Sequence, residues 1–248
     1  MTRVMLFVTV LLLPFQSLFA GATGAHWSYE GEEGPEHWGD LSPEYHFCKE
    51  GMNQSPVDLV ADLHPELPEL HFQYLGTPVH ETHNGHSIQL TVKPGSFLEV
   101  PERNERFQLL QGHFHSPSEH TVAGEHFAME IHLVHSDQDG ELVVVGLMIN
   151  EGEEDPMLNR IWSFMPETVG ETRESALTVL EAGVLLPTRD YFVYSGSLTT
   201  PPCSEGVKWI VLRKSLTASA EQIARFKERV GRFTNRPIQD NNARLILD

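Results

Sequence analysis

The sequence predicts a mainly β fold with a few short helices (α+β), in a single domain over residues 23–248. Three observations carry this. Short runs rich in β-branched and aromatic residues dominate the middle of the chain. Turn-forming clusters such as His83-Asn84-Gly85 and Asp137 to Gly140 separate them closely, which favours mostly antiparallel pairing. Only two segments combine helical periodicity with a recognisable start.

Residues 1–22 read as a secretory signal peptide. Arg3 supplies the positive charge, Val4 to Leu13 the apolar stretch, and Pro14 ends it. Ala20-Gly21-Ala22 offers the small-residue site, with cleavage after Ala22 or Ala20. The alternative is a membrane anchor, but the run is short for a span and polar sequence follows at once. Acidic runs from Glu30 to Glu36 and from Glu151 to Asp155 read as loops. Strands are expected at Ser87 to Val92, Phe107 to His115, Phe127 to His135, Glu141 to Ile149, Tyr191 to Tyr194 and Val207 to Leu212. A helix is expected to start near Pro156, with Leu158, Ile161, Trp162 and Met165 facing inward. Another starts at a Ser219/Gln222 capping box, buries Ile223, Phe226 and Val230, and stops at Gly231. No internal repeat or linker divides the chain.

The formal net charge of -18 argues against nucleic acid or an anionic membrane as partner. Two cysteines, Cys48 and Cys203, in an exported chain point to one disulfide; the alternative is two free buried thiols. Such a bridge would close a loop of about 155 residues, worth roughly 5 kcal/mol on the chain-entropy model.

The most informative residues are His113 and His115, followed by His132, all in runs that read as strand. Side chains at i and i+2 share one face, roughly 7 Å apart. A third imidazole from a neighbouring strand closes a triangle. Three neutral nitrogen ligands on rigid strands suit a catalytic zinc with its fourth position open. Gln111 shares the face of the first two histidines, and Glu130 and Val134 flank the third. Gln111 and Glu130 are therefore placed to accept the spare ring N–H of a ligand and fix its tautomer. The plainer reading, polar faces of half-exposed strands, suits any one of these histidines better than all three.

An ordered series of motifs resembles the α-class carbonic anhydrases, most closely their exported bacterial members. It includes Gly34-Pro35-Glu36-His37-Trp38, Asn53 to Asp58, Asn84-Gly85-His86 and Gln111 to His115. It continues through Ser118-Glu119-His120-Thr121, Glu130 to His135, Tyr194 to Cys203, Trp209 to Leu212 and Asn235-Arg236-Pro237. The resemblance implies a central, mostly antiparallel twisted sheet with the zinc at the base of a conical cleft. It implies reversible hydration of carbon dioxide to bicarbonate and a proton, with activated esters as side substrates. It further implies one zinc per chain, a periplasmic or secreted location without an anchor after cleavage, and leaves a homodimer open. Periodicity alone gives a strand-borne zinc site and no substrate.

The same resemblance implies individual roles. His113, His115 and His132 hold zinc, whose bound water loses a proton near pH 7, a figure that belongs to carbonic anhydrases in general and is no derivation from this chain. Thr199 orients the attacking oxygen by donating its own proton to Glu119, so that the Thr199 oxygen can only accept. Val134, Val144, Leu198, Val207 and Trp209 form the apolar wall for carbon dioxide, and Thr200 contacts bicarbonate. An acid of pKa about 7 releases its proton to water at only ~10³ s⁻¹, given a diffusion-limited reverse step, so a relay is required. His86 matches that shuttle, with an ordinary imidazole pKa of about 6.5. Tyr29, Asn84 and Gln89 match positions that order the connecting waters, Gln89 standing in for the commoner Asn. His83 reads as an exposed turn residue or a second relay. His120 and His135 read as hydrogen-bonded structural residues. A rival reading is a non-catalytic interaction domain of the kind that lacks a zinc histidine; another is a zinc esterase. Gly112 stands where the family often has a bulky residue, which implies a local loss of packing and no lost ligand.

Overall fold

The computed structural model describes residues 24–75, 78–175, 187–231 and 233–248. The signal peptide of the sequence reading lies outside these residues. Among them, helices α1 (Trp38–Leu41), α2 (Phe47–Glu50), α3 (Pro156–Phe164) and α4 (Ala220–Val230) surround twelve strands. The strands are β1 (His71–Tyr74), β2 (Pro78–His83), β3 (Ile88–Val92), β4 (Ser96–Val100), β5 (Glu105–His115), β6 (Thr121–Val122), β7 (Glu125–His126), β8 (Met129–Ser136), β9 (Leu142–Glu151), β10 (Thr172–Glu174), β11 (Tyr191–Ser197) and β12 (Glu205–Ala218).

Ten strands form one sheet in the order β10-β2-β3-β5-β8-β9-β12-β11, with β4 also on β5 and β1 on β4; β6 and β7 pair separately. Its pairs are antiparallel except β9 with β12, which run parallel. The mainly β reading holds, and all six expected strands are present. β1, β2, β4 and β10 are not among the expected strands; β1, β2 and β10 carry mixed, partly exposed patterns, whereas β4 alternates as regularly as β3.

Every residue of β8 is buried. The reason is that both faces of the sheet centre are covered. One face, carrying Ile131, Leu133, Val145, Leu147, Ile210 and Leu212, meets α3 and α4 in the main core. There Trp162 packs against both Phe114 and Phe226, with ring centroids 4.9 Å and 5.7 Å away. Asp155 caps α3 by accepting from Met157 N and Leu158 N. The Ser219/Gln222 capping box starts α4, and Gln222 Nε2 also donates to Asp155 O at 2.8 Å, tying the two helix starts together.

The opposite face carries a second apolar cluster and the site. Cross-strand register builds two rows over it. Gln89, His113, His132, Gly146 and Val211 form one; Gln111, Val134, Val144 and Trp209 form the next. Gly112 points to the main core. A Cβ there would lie 3.1 Å from Leu133 Cδ2, so Leu133 fills the space and the expected loss of packing is not found.

Candidate active site and metal centre

His113 and His115 project from the end of β5, and His132 lies directly opposite His113 on β8. Their three ring nitrogens lie within 4.8 Å of one another. Each ring spends its other nitrogen on an acceptor. His113 Nδ1 donates to Gln111 Oε1 at 2.9 Å, His115 Nδ1 to the Thr234 carbonyl at 2.5 Å, and His132 Nε2 to Glu130 Oε1 at 2.9 Å. Acceptors that cannot donate fix the tautomers. The inward nitrogens are therefore Nε2 of His113 and His115 and Nδ1 of His132, each presenting a lone pair. His115 Nε2 is buried and has no partner. Burial, aided by the neighbouring imidazoles, holds His113 well below the usual range, and burial lowers His115 as well, so both are neutral. A converging set of neutral nitrogen donors, two of them on buried rings and one orphaned, fits a zinc ion.

Glu130 is the hub of the supporting shell. Oε1 accepts from His132 and from His120 Nδ1 at 2.8 Å; Oε2 accepts from the backbone N–H of Glu119 at 2.8 Å and of His120 at 2.9 Å. Burial alone would raise its pKa, but His120 and His132 outweigh burial and hold the carboxyl well below its ordinary range. Gly146 makes the room: a Cβ there would stand 2.9 Å from Glu130 Oε1. His120 Nε2 meets Tyr194 Oη at 2.6 Å, and Tyr194 donates to Ser55 Oγ at 2.9 Å. Ser55 and Ser197 then bond reciprocally, backbone to side chain. The chain of bonds thus runs from a metal-facing histidine to the strand end that precedes Leu198 and Thr199. His120 is structural, as read from sequence; so is His135, whose Nε2 meets Tyr74 Oη at 2.7 Å.

Thr199 is buried in the turn between β11 and β12. That turn is pinned by the Cys48–Cys203 disulfide, by Gln54 Nε2 donating to Cys203 O at 3.1 Å, and by Cys203 N donating to Thr200 O at 2.9 Å. Glu119 Oε1 accepts from Arg236 N at 2.9 Å, while Oε2 is buried without a hydrogen bond. The Thr199-to-Glu119 bond implied by the motif is thus not formed here. The free oxygen turns toward the ring nitrogens, 3.6 Å from His115 Nε2 and 3.8 Å from His132 Nδ1. Arg236 itself is buried, donating to Gln54 Oε1 and to the carbonyls of Ser55 and Cys48.

Val134, Val144, Val207 and Trp209 belong to the second apolar cluster, with Leu198 packed against it. The Trp209 and His132 rings stand 4.8 Å apart. At the other side, Tyr29 lies among Trp27, Trp38 and His86. Burial, then Glu119, pushes its phenol well up. Gln89 sits beside His113 in register. Asn84 Oδ1 is spent on the backbone N–H of His86 and Ser87, at 2.9 Å and 2.8 Å, so its oxygen shapes the turn and is not left to order water.

Two expectations need correction. His86 stacks face to face on Trp27, with centroids 3.5 Å apart and planes at 9°. Burial there, then His26 and His83, lowers its pKa to about 4, well under the ordinary value assumed from sequence. His83 is no exposed turn residue: it ends β2 and is 3% exposed. Sequence reading gave no role to Thr234, Arg236, Gly146 or Trp27. Arg236 carried a signal as the middle of the Asn235-Arg236-Pro237 motif, and Trp27 as an aromatic beside the Tyr29 already singled out.

Residues 33–247 match the family model described as eukaryotic-type carbonic anhydrase. The chain belongs to the eukaryotic-type, or α, carbonic anhydrase family. It is 44% identical over 225 residues to a carbonic anhydrase of Klebsiella pneumoniae, covering 90% of this chain and 91% of that one. The α-carbonic anhydrase of Thermovibrio ammonificans, solved with the inhibitor sulfanilamide, superimposes with a TM-score of 0.85 at 44% identity, covering 91% of this chain and 100% of that one. A hyperthermostable carbonic anhydrase from an active hydrothermal vent chimney gives 0.84 at 47% identity, covering 90% and 99%. Family members are lyases that hydrate carbon dioxide and are generally zinc-dependent. Among the described residues no helix is long and apolar enough to cross a membrane.

Proposed function

We propose that this chain hydrates carbon dioxide reversibly at one zinc ion held by His113 Nε2, His115 Nε2 and His132 Nδ1. The observation that carries the reading is the set of three imidazoles whose outer nitrogens are each bonded to an acceptor while the inner ones converge. Zinc bound there supplies the Lewis acidity that makes water a nucleophile near neutral pH. Gln111, Thr234 and Glu130 hold the rings in the required tautomers. In the working enzyme the Thr199 hydroxyl turns to donate to the free oxygen of Glu119, a bond not formed in this structure, which leaves the Thr199 oxygen able only to accept. It therefore admits a reacting group that still has a proton to donate and aims it at the substrate.

Val134, Val144, Leu198, Val207 and Trp209 hold carbon dioxide against an apolar surface, and the Thr200 hydroxyl contacts bicarbonate. Water adds to the carbon, one C–O bond forms, and one proton leaves. His86 carries that proton outward through water ordered by Tyr29 and Gln89, while Asn84 shapes the turn that carries His86. Because the stacked ring is a weak base, transfer needs His86 to leave the face of Trp27 first. The amino-terminal apolar segment and the disulfide support export to the periplasm or beyond.

The test is direct. Purified protein should contain one zinc per chain and hydrate carbon dioxide faster than it cleaves an activated ester. His132→Ala should lose both zinc and hydration. Retention of either would overturn the assignment.

A further inference from the structure

His83 closes β2 one residue before the turn that carries His86, and it is buried with both ring nitrogens engaged. Gly85 N donates to His83 Nδ1 at 3.2 Å, and His83 Nε2 meets the carbonyl of Arg229 at 3.2 Å. An amide N–H can only donate and a carbonyl can only accept. One neutral tautomer therefore satisfies both contacts: a lone pair on Nδ1 and a proton on Nε2. The acceptor is well chosen. Arg229 lies in the last turn of α4, where carbonyls have no partner within the helix.

The neighbouring backbone is tied just as closely. His83 N donates to Glu171 O at 3.1 Å, and Gly170 N to His83 O at 2.7 Å. Beyond it, Gly85 adopts φ +93, a conformation that favours glycine, and Asn84 Oδ1 takes the N–H groups of His86 and Ser87. The Gly85-to-His83 bond is the contact that fastens the middle of this turn to the packed body of the protein.

We propose that His83 is a positioning residue for the proton shuttle: its Nδ1 fastens the Asn84-Gly85-His86 turn to the end of β2 and sets where the His86 ring stands. It is not a second relay, because a proton accepted on Nδ1 would break the bond to Gly85. The inference rests on the reading of His86 as the shuttle.

Amide side chains separate the possibilities. Asn places Oδ1 where His places Nδ1, so His83→Asn keeps an acceptor for Gly85. Gln places Nε2 where His places Nε2, so His83→Gln keeps the donor to Arg229 and loses the acceptor. Neither side chain can carry a proton. In weak buffer, with zinc-loaded protein, His83→Asn should hold kcat within about twofold. His83→Gln should lower it about fivefold, the population change expected from one lost neutral hydrogen bond, with kcat/KM unchanged and added imidazole restoring the rate. Hydrogen exchange at the Gly85 amide should speed up in His83→Gln and stay slow in His83→Asn. Equal losses in both variants would mean that His83 itself relays protons. No loss in either would mean that the anchor is idle. Either result overturns the proposal. His86→Ala, expected to lose one to three decades of kcat on the dissociation argument, is the control. If it keeps full turnover, the shuttle reading falls and this inference falls with it.

Discussion

Glu81 should make the protein's stability depend on pH in the sense opposite to most carboxylates. It lies on β2 with no exposed surface, facing Leu90 on β3 and Arg173 on β10 in register. Arg173 is spent on Glu171 and Glu167, so no cation compensates Glu81. Its Oε1 accepts from Ser175 Oγ at 2.9 Å, and its Oε2 has no partner. Burial pushes its pKa from 4.5 to about 7, with the Ser175 bond working the other way. Between those values the folded protein holds a proton that the unfolded chain has released, so stability falls as pH rises from 4.5 and levels off above 7. The displacement corresponds to about 3 kcal/mol at most, and solvent relaxation around the charge lowers this to roughly 2. Glu81→Gln keeps the shape and removes the ionisation. Thermal unfolding of the zinc-loaded, disulfide-bonded protein should show the variant more stable at pH 8 by roughly 4–8 °C and about equal to the parent at pH 4.5. A difference of the same size at both pH values would refute the reasoning, because a packing effect does not titrate.

Other expectations follow from the site. Gly146→Ala should drive Glu130 away from His132 and weaken zinc about 10- to 100-fold in chelator competition, with the fold intact; unchanged affinity would show that Glu130 is not needed in its present place. Trp27→Ala should raise the His86 pKa from about 4 toward the ordinary range, by at least about one unit in an NMR titration, since the burial that lowers it is removed. A value still near 4 would assign the depression to His26 and His83 instead. Replacing Cys48 and Cys203 with Ser should cost up to about 5 kcal/mol in urea unfolding. It should also slow hydration by loosening the turn that holds Thr199; a variant with full stability would contradict the role given to the bridge.

The parts legible in the sequence were those written in side-chain periodicity. Alternation placed His113, His115 and Gln111 on one face, and Glu130 beside His132, before any pairing was known. Pro156 and the Ser219/Gln222 pair marked both long helices because the chemistry of a helix start is local. What stayed hidden lacks a side-chain signature or acts across the fold. The acceptor for His115 is the backbone carbonyl of Thr234, 119 positions away. Gly146 matters only because a carboxylate from the adjacent strand needs its space. His83 looked like a turn residue because Asn84-Gly85 follow it, and its burial depends on α4, which is remote in sequence. The ordinary pKa assumed for His86 failed for the same reason, since the ring is covered by Trp27, which is not its neighbour in sequence.

The reach of those contacts bears on when in the life of the chain a metal can be held. His113, His115 and His132 are made together, but the carbonyl that fixes His115 comes from Thr234 and the amide that holds Glu119 comes from Arg236. A ribosome adds residues in order, so a nascent chain stalled shortly after β8 has its three imidazoles and lacks both the carbonyl that orients His115 and the amide that holds Glu119 beside them. At the proposed zinc site, tight loading would therefore wait until synthesis has passed Arg236 and the sheet has closed. Zinc held at the proposed site would be a passenger of the finished fold and no template for its assembly.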